Sequence, residues 1–380
     1  MIYLDNSATT KPFPEVIESY TAVAANYFGN PSSLHRIGME AEKLLIQARA
    51  QIAALLDVKE SEIYFTSGGT EGNNMALKGI ARRFKSRGQH IITTSIEHDS
   101  IMKVMEQLEQ DGFSVTYLPV NEDGIVSVED IKKHIQSDTI LVSIMHVNNE
   151  TGAIQPIEAI GKLLNEYPKI YFHVDGVQAI GKTPLSLRDY HIDLYTMSAH
   201  KFHGLKGNGI LFAKDGINIS PLLAGGGQER NVRSGTENVA GAVATAKALR
   251  MQLDNYKNQF GKMLEQNKFI RDQLESMDNV VVHSPVNSVP HIINFSASGI
   301  KAEVLIHALE EKDIFLSTTS ACSSKTNTVS KTLLAMRVPE NIAESSFRIS
   351  LAYDNELKDI REAMSVLKET INWLRGVMNR

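Results

Sequence analysis

The sequence predicts an α/β protein: a mostly parallel seven-stranded sheet forms a large unit, and a smaller α+β unit follows it. Three observations carry that expectation. From Ile52 to about Leu211, short apolar runs alternate with longer helical patterns, as in βαβ units that cover both faces of a parallel sheet. From Asn238 to Met277 no proline interrupts a stretch rich in Ala, Leu, Lys, Glu and Gln, so one long helix or two stacked ones, and the junction between units, fall there. At 42% hydrophobic and 22% charged, the chain has the composition of an ordinary globular protein. Its 380 residues suit two or three domains at about 150 residues each.

In chain order, the strands of the first unit are expected at Ile63–Phe65, His90–Thr94, Val115–Pro119, Ile140–Met145, Tyr171–Val174, Leu194–Met197 and Gly209–Ala213. Each is short and rich in β-branched or aromatic residues, as buried parallel strands are. Beyond the long helix, strands are expected at Val280–His283, Ile292–Phe295 and Ser346–Leu351, with helices over Ala302–Lys312 and Asn355–Arg375. In the last helix Leu357, Ile360, Met364, Leu367, Ile371 and Leu374 recur at three- and four-residue spacing, a core-facing stripe with no chemical role.

Lysine and arginine total 39 against 44 acids, a net charge of -5, which argues against binding nucleic acid through bulk charge. A single cysteine, Cys322, excludes an intramolecular disulfide and fits a reducing compartment. The opening Met1-Ile2-Tyr3-Leu4-Asp5-Asn6 has neither the basic region nor the apolar run of a signal peptide, and no run of about 18 apolar residues occurs. The expectation is a soluble, cytoplasmic protein with no membrane contact.

The strand at Ile63 runs into Thr66-Ser67-Gly68-Gly69-Thr70-Glu71-Gly72-Asn73-Asn74, with a helical pattern from Met75. Small residues there let backbone N–H groups converge on an anion at a helix N-terminus; a plain strand-to-helix turn capped by Thr70 is the alternative. Gly176-Val177-Gln178-Ala179-Ile180-Gly181-Lys182-Thr183 fits a P-loop pattern and follows a strand. Its four intervening residues hold no glycine to curl around a phosphate, and Pro184 follows without a helix, so the NTPase reading is set aside.

Asp175 ends the strand at Tyr171, and Ser198-Ala199-His200-Lys201-Phe202-His203 follows the strand at Leu194; His98 follows the strand at Ile91. Ligands of open α/β sheets bind at the carboxyl ends of strands. Alone, Lys201 reads as a solvated charge, and His200 with His203 lack a third nearby ligand, so no metal is expected. Pyridoxal phosphate chemistry unites the set, since it needs a lysine, an acid for the pyridine nitrogen, a phosphate cup and a plane against the ring. Lys201, Asp175, the Ser67–Thr70 turn and His98 supply all four. Cys322 sits among small polar residues from Leu316 to Thr328, a placement that suits a working thiol over a buried inert one. Arg348, in an otherwise apolar or small strand, suits a substrate carboxylate or an internal ion pair.

With these motifs the sequence resembles the cysteine desulfurases, the NifS/IscS-like branch of the fold-type I pyridoxal phosphate enzymes, or class V aminotransferases. The resemblance spans nearly the whole chain, through Tyr3-Leu4-Asp5-Asn6-Ser7-Ala8-Thr9-Thr10, Phe28-Gly29-Asn30-Pro31-Ser32-Ser33, Met145-His146-Val147-Asn148-Asn149-Glu150, Arg233-Ser234-Gly235-Thr236 and the cysteine loop. It implies the PLP-dependent transferase fold, with a cofactor-binding domain over 13–255 and a small domain over 1–12 and 256–380. It implies that Lys201 is the Schiff-base lysine, Asp175 holds the pyridine nitrogen and His98 stacks on the ring. Asn149 and Gln178 would contact the ring's hydroxyl side. Gly69, Thr70, Ser198 and His200 would bind the phosphate, joined by Thr236 from the second subunit of a homodimer.

By the same resemblance Arg348, with Asn149 nearby, takes the carboxylate of L-cysteine, Lys201 moves the α-proton and His98 shuttles protons. Cys322 accepts the sulfur as a persulfide, and alanine leaves. Thr319 stands where the family's loop usually has glycine, and Ala199 where its lysine motif has glycine. Rival readings are a selenocysteine lyase or cysteine sulfinate desulfinase of the same fold, and a noncatalytic docking subunit. The chain runs only to Met378-Asn379-Arg380 after Trp373, whereas the Isc-type branch carries an extended tail for docking the iron-sulfur scaffold. The expected acceptor is therefore a tRNA-thiolating enzyme, with iron-sulfur cluster assembly as the alternative, docking around the Cys322 loop and Lys325.

Overall fold

The structure is a computed structural model that describes residues 1–318 and 329–378, with side chains through 377. Elements are β1 Ile2–Tyr3, α1 Pro14–Asn26, α2 Arg36–Leu56, β2 Ile63–Thr66, α3 Gly69–Phe84, β3 His90–Thr94, α4 Asp99–Gln110, β4 Ser114–Leu118, α5 Val128–His134, β5 Thr139–Met145, α6 Ile157–Leu164, β6 Tyr171–Asp175, β7 Leu194–Ser198 and β8 Gly209–Ala213. There follow α7 Val239–Glu275, β9 Val280–Val282, β10 Ile292–Ala297, α8 Ala302–Glu310, β11 Ile314–Phe315, β12 Ser317–Thr318, α9 Lys331–Ala335, α10 Glu340–Ala343, β13 Ser346–Ser350 and α11 Leu357–Met378.

The large sheet has seven strands in the order β2-β8-β7-β6-β5-β3-β4, and β8 alone runs against the others. Successive residues of a strand point to opposite faces, and the packing follows that period of two. Ile91, Leu141, Leu194 and Leu211 join α3 and α4 in one cluster, while Ile92, Val142, Tyr195 and Phe212 join α2, α6 and α7 in another. The central strands β3, β5, β7 and β8 are buried on both faces, which is why they read as short, largely apolar runs.

Helix α7 is one continuous element of 37 residues. Its first turns, through Ala242, Ala246 and Leu249, pack on the large sheet, whereas Met263, Ile270 and Leu274 belong to a separate core. That second core covers one face of an antiparallel sheet of order β12-β13-β10-β9 and includes the α11 residues Ile360, Met364, Leu367, Ile371 and Leu374. The N-terminus returns to it, with β1 parallel to β11 and Leu4 buried in the core. Among the described residues no helix is long and apolar enough to cross a membrane.

Candidate active site

Because β3, β5, β6 and β7 run parallel, their carboxyl ends share one edge, and the strand order reverses beside β3. His98 follows β3, Asn149 follows β5, Asp175 ends β6, and Lys201 closes a 3-10 turn, Ala199–Lys201, directly after β7. A reversal of strand order opens a crevice between the loops of neighbouring strands, where ligands of such sheets sit.

Asp175 is 6% exposed, and both carboxylate oxygens accept hydrogen bonds: Oδ2 from Asn73 Nδ2 at 2.8 Å, Oδ1 from the Val177 amide at 3.0 Å. The second N–H of Asn73 reaches Ser100 Oγ at 2.8 Å, and Ser100 Oγ lies 2.8 Å from His98 Nδ1. His98 also caps α4, its Nδ1 accepting from the Ser100 amide at 3.1 Å. Beside this chain Glu97 is buried, with Oε1 accepting from Thr94 Oγ1 and the Met145 amide. Burial first, and then the neighbouring Asp175, push its carboxyl up to about 8.

Lys201 Nζ donates to the Ala8 carbonyl at 2.8 Å and to the Ser7 carbonyl, which also accepts from Gln178 Nε2 at 3.0 Å. The segment Asp5–Thr10 thus crosses the mouth of β7. Gln178 Oε1 and Ser7 Oγ are buried with no hydrogen-bond partner among the described residues. Buried polar atoms are nearly always satisfied, so such atoms beside the Lys201 amine suit a polar ligand. His200 Nδ1 lies 3.3 Å from Thr9 Oγ1, and burial with nearby Lys201 lowers its imidazole to about 4.

The turn after β2 differs from expectation in one respect. Helix α3 begins at Gly69, six residues before Met75, with Gly68 at the N-cap and no side chain, Thr70 included, capping it. The small residues themselves form the first helical turn, whose amide N–H groups have no partner inside the helix. A methyl group on Gly69 would meet Val177 Cγ2 at 2.9 Å and Ser198 Cβ at 3.5 Å, so glycine keeps this end of α3 close against the ends of β6 and β7. A helix start of this kind beside Ser198 is suited to a phosphate. Pyridoxal phosphate therefore fits the residues present: a helix N-terminus for the phosphate, an acid and an imidazole joined by one hydrogen-bond chain, and an amine at the neighbouring strand end.

Arg348, in the middle of β13, is 3% exposed. Its Nη1 donates to the Asn149 carbonyl at 2.9 Å and its Nη2 to Asp5 Oδ1 at 3.0 Å, so the ion-pair alternative is realised and the fork is also tied to the turn that carries Asn149. In that turn Glu150, raised by burial, accepts from Ser330 Oγ. Cys322, Thr319 and Lys325 lie outside the described residues. Thr236 is exposed and lines a cavity of about 270 Å³ with Thr66, Ser67 and Asn208, apart from the Asp175–His98 chain. The P-loop look-alike forms turns with no helix behind it, and Lys182 at its end is 5% exposed. Among the described residues no three His, Cys, Asp or Glu side chains gather as a metal would require. Sequence reasoning assigned no role to Asn73, Ser100, Glu97 or Lys182. Only Asn73, a polar residue on the helix face it shares with Ala76, Leu77 and Ile80, carried a signal.

The family model for aminotransferase class-V matches residues 2–362. The chain is 46% identical over 372 residues to a NifS/IcsS protein homolog of Lactobacillus delbrueckii subsp. bulgaricus, covering 97% of each. It is 44% identical over 378 residues to a cysteine desulfurase IscS of Clostridium botulinum, covering 98% of this chain and 95% of that one. Among solved structures it is similar to a NifS-like protein, with a TM-score of 0.93, 36% identity and coverage of 98% of this chain and 99% of that one.

Proposed function

The chain belongs to the class-V aminotransferase family, and from that premise we infer that it is a pyridoxal 5'-phosphate-dependent cysteine desulfurase. It converts L-cysteine to L-alanine and passes the sulfur, as a persulfide on Cys322, to an acceptor protein. The observation that carries this reading is the placement of Lys201, Asp175 and His98 along one carboxyl edge of the sheet, with Asp175 joined to His98 through Asn73 and Ser100 and with Arg348 tied to the Asn149 turn.

When bound, the cofactor supplies an electron sink for the substrate's α-carbon. Asp175 would hold its pyridine nitrogen, His98 would lie against its ring, and Asn149 and Gln178 would meet its hydroxyl side. Gly69, Thr70, Ser198 and His200 would hold the phosphate, with Thr236 of a second copy. Arg348 takes the substrate carboxylate and thereby orients the α-C–H bond toward Lys201, whose Nζ holds and returns the proton. The Cys322 thiolate then attacks the substrate sulfur: an S–S bond forms and the C–S bond breaks. The carbon skeleton keeps that bond's electrons and leaves as alanine. Carbon is reduced as sulfur is oxidised, so no external oxidant is consumed.

The division into 13–255 and 1–12 with 256–380 belongs to the same proposal, supported by the two separate cores that α7 joins. So does the homodimer, supported by an exposed apolar group that includes Phe28 at 75% and Leu34 at 95% exposure. A cytoplasmic setting suits a lone working thiol, which a reducing compartment keeps available. The acceptor is a tRNA-thiolating enzyme or an iron-sulfur scaffold. Charging the protein with labelled cysteine and offering both acceptors in turn decides between them by the faster transfer.

The test of the activity is alanine formation from cysteine by the purified protein. Lys201→Ala should lose both the visible absorbance of the bound cofactor and alanine production. Cys322→Ser should keep cofactor and cysteine binding while persulfide transfer disappears. Undiminished sulfur release in Cys322→Ser would favour the selenocysteine lyase or sulfinate desulfinase reading, and a wild type that makes no alanine would favour the docking subunit.

A further inference from the structure

We propose that Asn73 is a positioning residue that ties Asp175 to His98 and fixes the imidazole in the tautomer with its proton on Nε2. The inference rests on the assignment of Asp175 and His98 to the cofactor.

Asn73 is fully buried in α3, one turn in from the helix start at Gly69. Its amide can face only one way. Asp175 accepts through both oxygens, so the Asn73 atom 2.8 Å from Oδ2 has to be the donor nitrogen; a flip would set two acceptors face to face. That orientation leaves Asn73 Oδ1 buried without a partner among the described residues, a cost that a purely structural amide has no reason to carry.

The second N–H then decides the next link. It donates to Ser100 Oγ at 2.8 Å, so the hydroxyl is an acceptor on that side and is free to aim its own proton at His98 Nδ1, also at 2.8 Å. The Ser100 amide points at the same nitrogen from 3.1 Å. Two donors converging on Nδ1 require a lone pair there, and the neutral ring therefore carries its proton on Nε2. One amide group thus holds the acid that faces the pyridine nitrogen and, through Ser100, orients the ring that lies against it. Any proton His98 exchanges with substrate passes through Nε2, because Nδ1 is occupied.

The test labels histidine nitrogens in the cofactor-loaded protein and identifies the His98 ring by its loss in His98→Gln. Wild type should show protonated Nε2 and bare Nδ1. Ser100→Ala, a small change, should mix the two tautomers and leave cofactor retention as in wild type. Asn73→Ala should mix them as well, move the pH midpoint of the visible absorbance band, and speed cofactor loss on dialysis about tenfold, the equivalent of one weakened polar contact. A wild-type ring protonated on Nδ1, or an Asn73→Ala protein with unchanged tautomer, midpoint and retention, would overturn the proposal. Should Asn73→Ala fail to fold, the Ser100→Ala tautomer decides alone. The nitrogen shifts also report on the protein before loading, so a wild type that takes up no cofactor sinks the functional reading, while its His98 tautomer still tests the tie through Asn73 and Ser100.

Discussion

Lys182 and Glu97 are buried ionisable groups whose effects on stability oppose each other. The Lys182 ammonium has no hydrogen-bond partner among the described residues, and burial, with nearby Lys201, lowers it from 10.5 to about 7. Between those values the unfolded chain binds more protons than the folded one, so this residue makes stability rise with pH from about 7 toward 10.5. Lys182→Met should flatten that slope and raise the melting temperature most near pH 7, measured by thermal unfolding across the window. An unchanged slope would mean the amine is charged and paired. Glu97 carries the reverse sign: raised from 4.5 to about 8, it leaves the folded state with more bound protons in that interval, and stability falls as pH rises through it. Glu97→Gln keeps the shape and should remove that fall. Neither group's burial was legible in the sequence, whereas the positions of Lys201, Asp175 and His98 at the carboxyl ends of strands were. A residue at a strand's carboxyl end is located by the strand's own period, while burial, and a partner as distant in sequence as Asp175 is from Asn73, are products of packing.

At the scale of elements, strands with both faces buried were the most readable feature, and β3 and β8 have the bounds expected of them. The two-residue strands β1, β11 and β12 were not, because each exists only through its partner; Ile2 pairs with Ile314 across nearly the whole chain. Helix α3 starts before its apolar pattern, and Gly69 and Gly72 keep its first turn close against Val177 and Thr196. The same demand for space appears at Gly176, which follows β6 and leads the look-alike loop. A methyl group there would run into the ring of the fully buried Tyr195 on β7. Overpacking of this kind costs about 1–3 kcal/mol. Gly176→Ala should lower stability in urea by that amount and also loosen the cofactor, since Asp175 is the preceding residue. Wild-type stability in this variant would mean that the β6–β7 edge relaxes without strain.

For the whole molecule, the question is whether one copy holds a complete site. The segment that carries Thr236 is built to be rigid. Glu229, Arg230 and Asn231 all take left-handed backbone conformations, at φ of 45°, 56° and 64°, which non-glycine residues adopt at a cost. The restraint comes from Glu229, 6% exposed, whose two oxygens meet Arg49 at 2.6 and 2.8 Å and which also accepts from the Phe65 amide. Arg233 is in turn paired with Glu71 of α3 at 2.8 Å. A segment pinned so firmly at its root, yet exposed at Thr236, suits the proposed dimer, in which Thr236 would reach the second copy's site. Light scattering should therefore give a dimer, and cofactor retention should fall on dilution below the dimer's dissociation constant. Glu229→Ala, which strands the buried Arg49 charge, should cost about 3–5 kcal/mol and weaken the dimer. Thr236→Ala should leave melting and dimer mass unchanged while releasing cofactor faster. The decisive arrangement is a mixed dimer of Lys201→Ala and Thr236→Ala chains. If Thr236 acts across the interface, the only site with an intact lysine is served by the intact threonine of its partner, and that site should retain cofactor as wild type does. A mixed dimer that loses cofactor as fast as the Thr236→Ala homodimer would place Thr236 on its own chain's site.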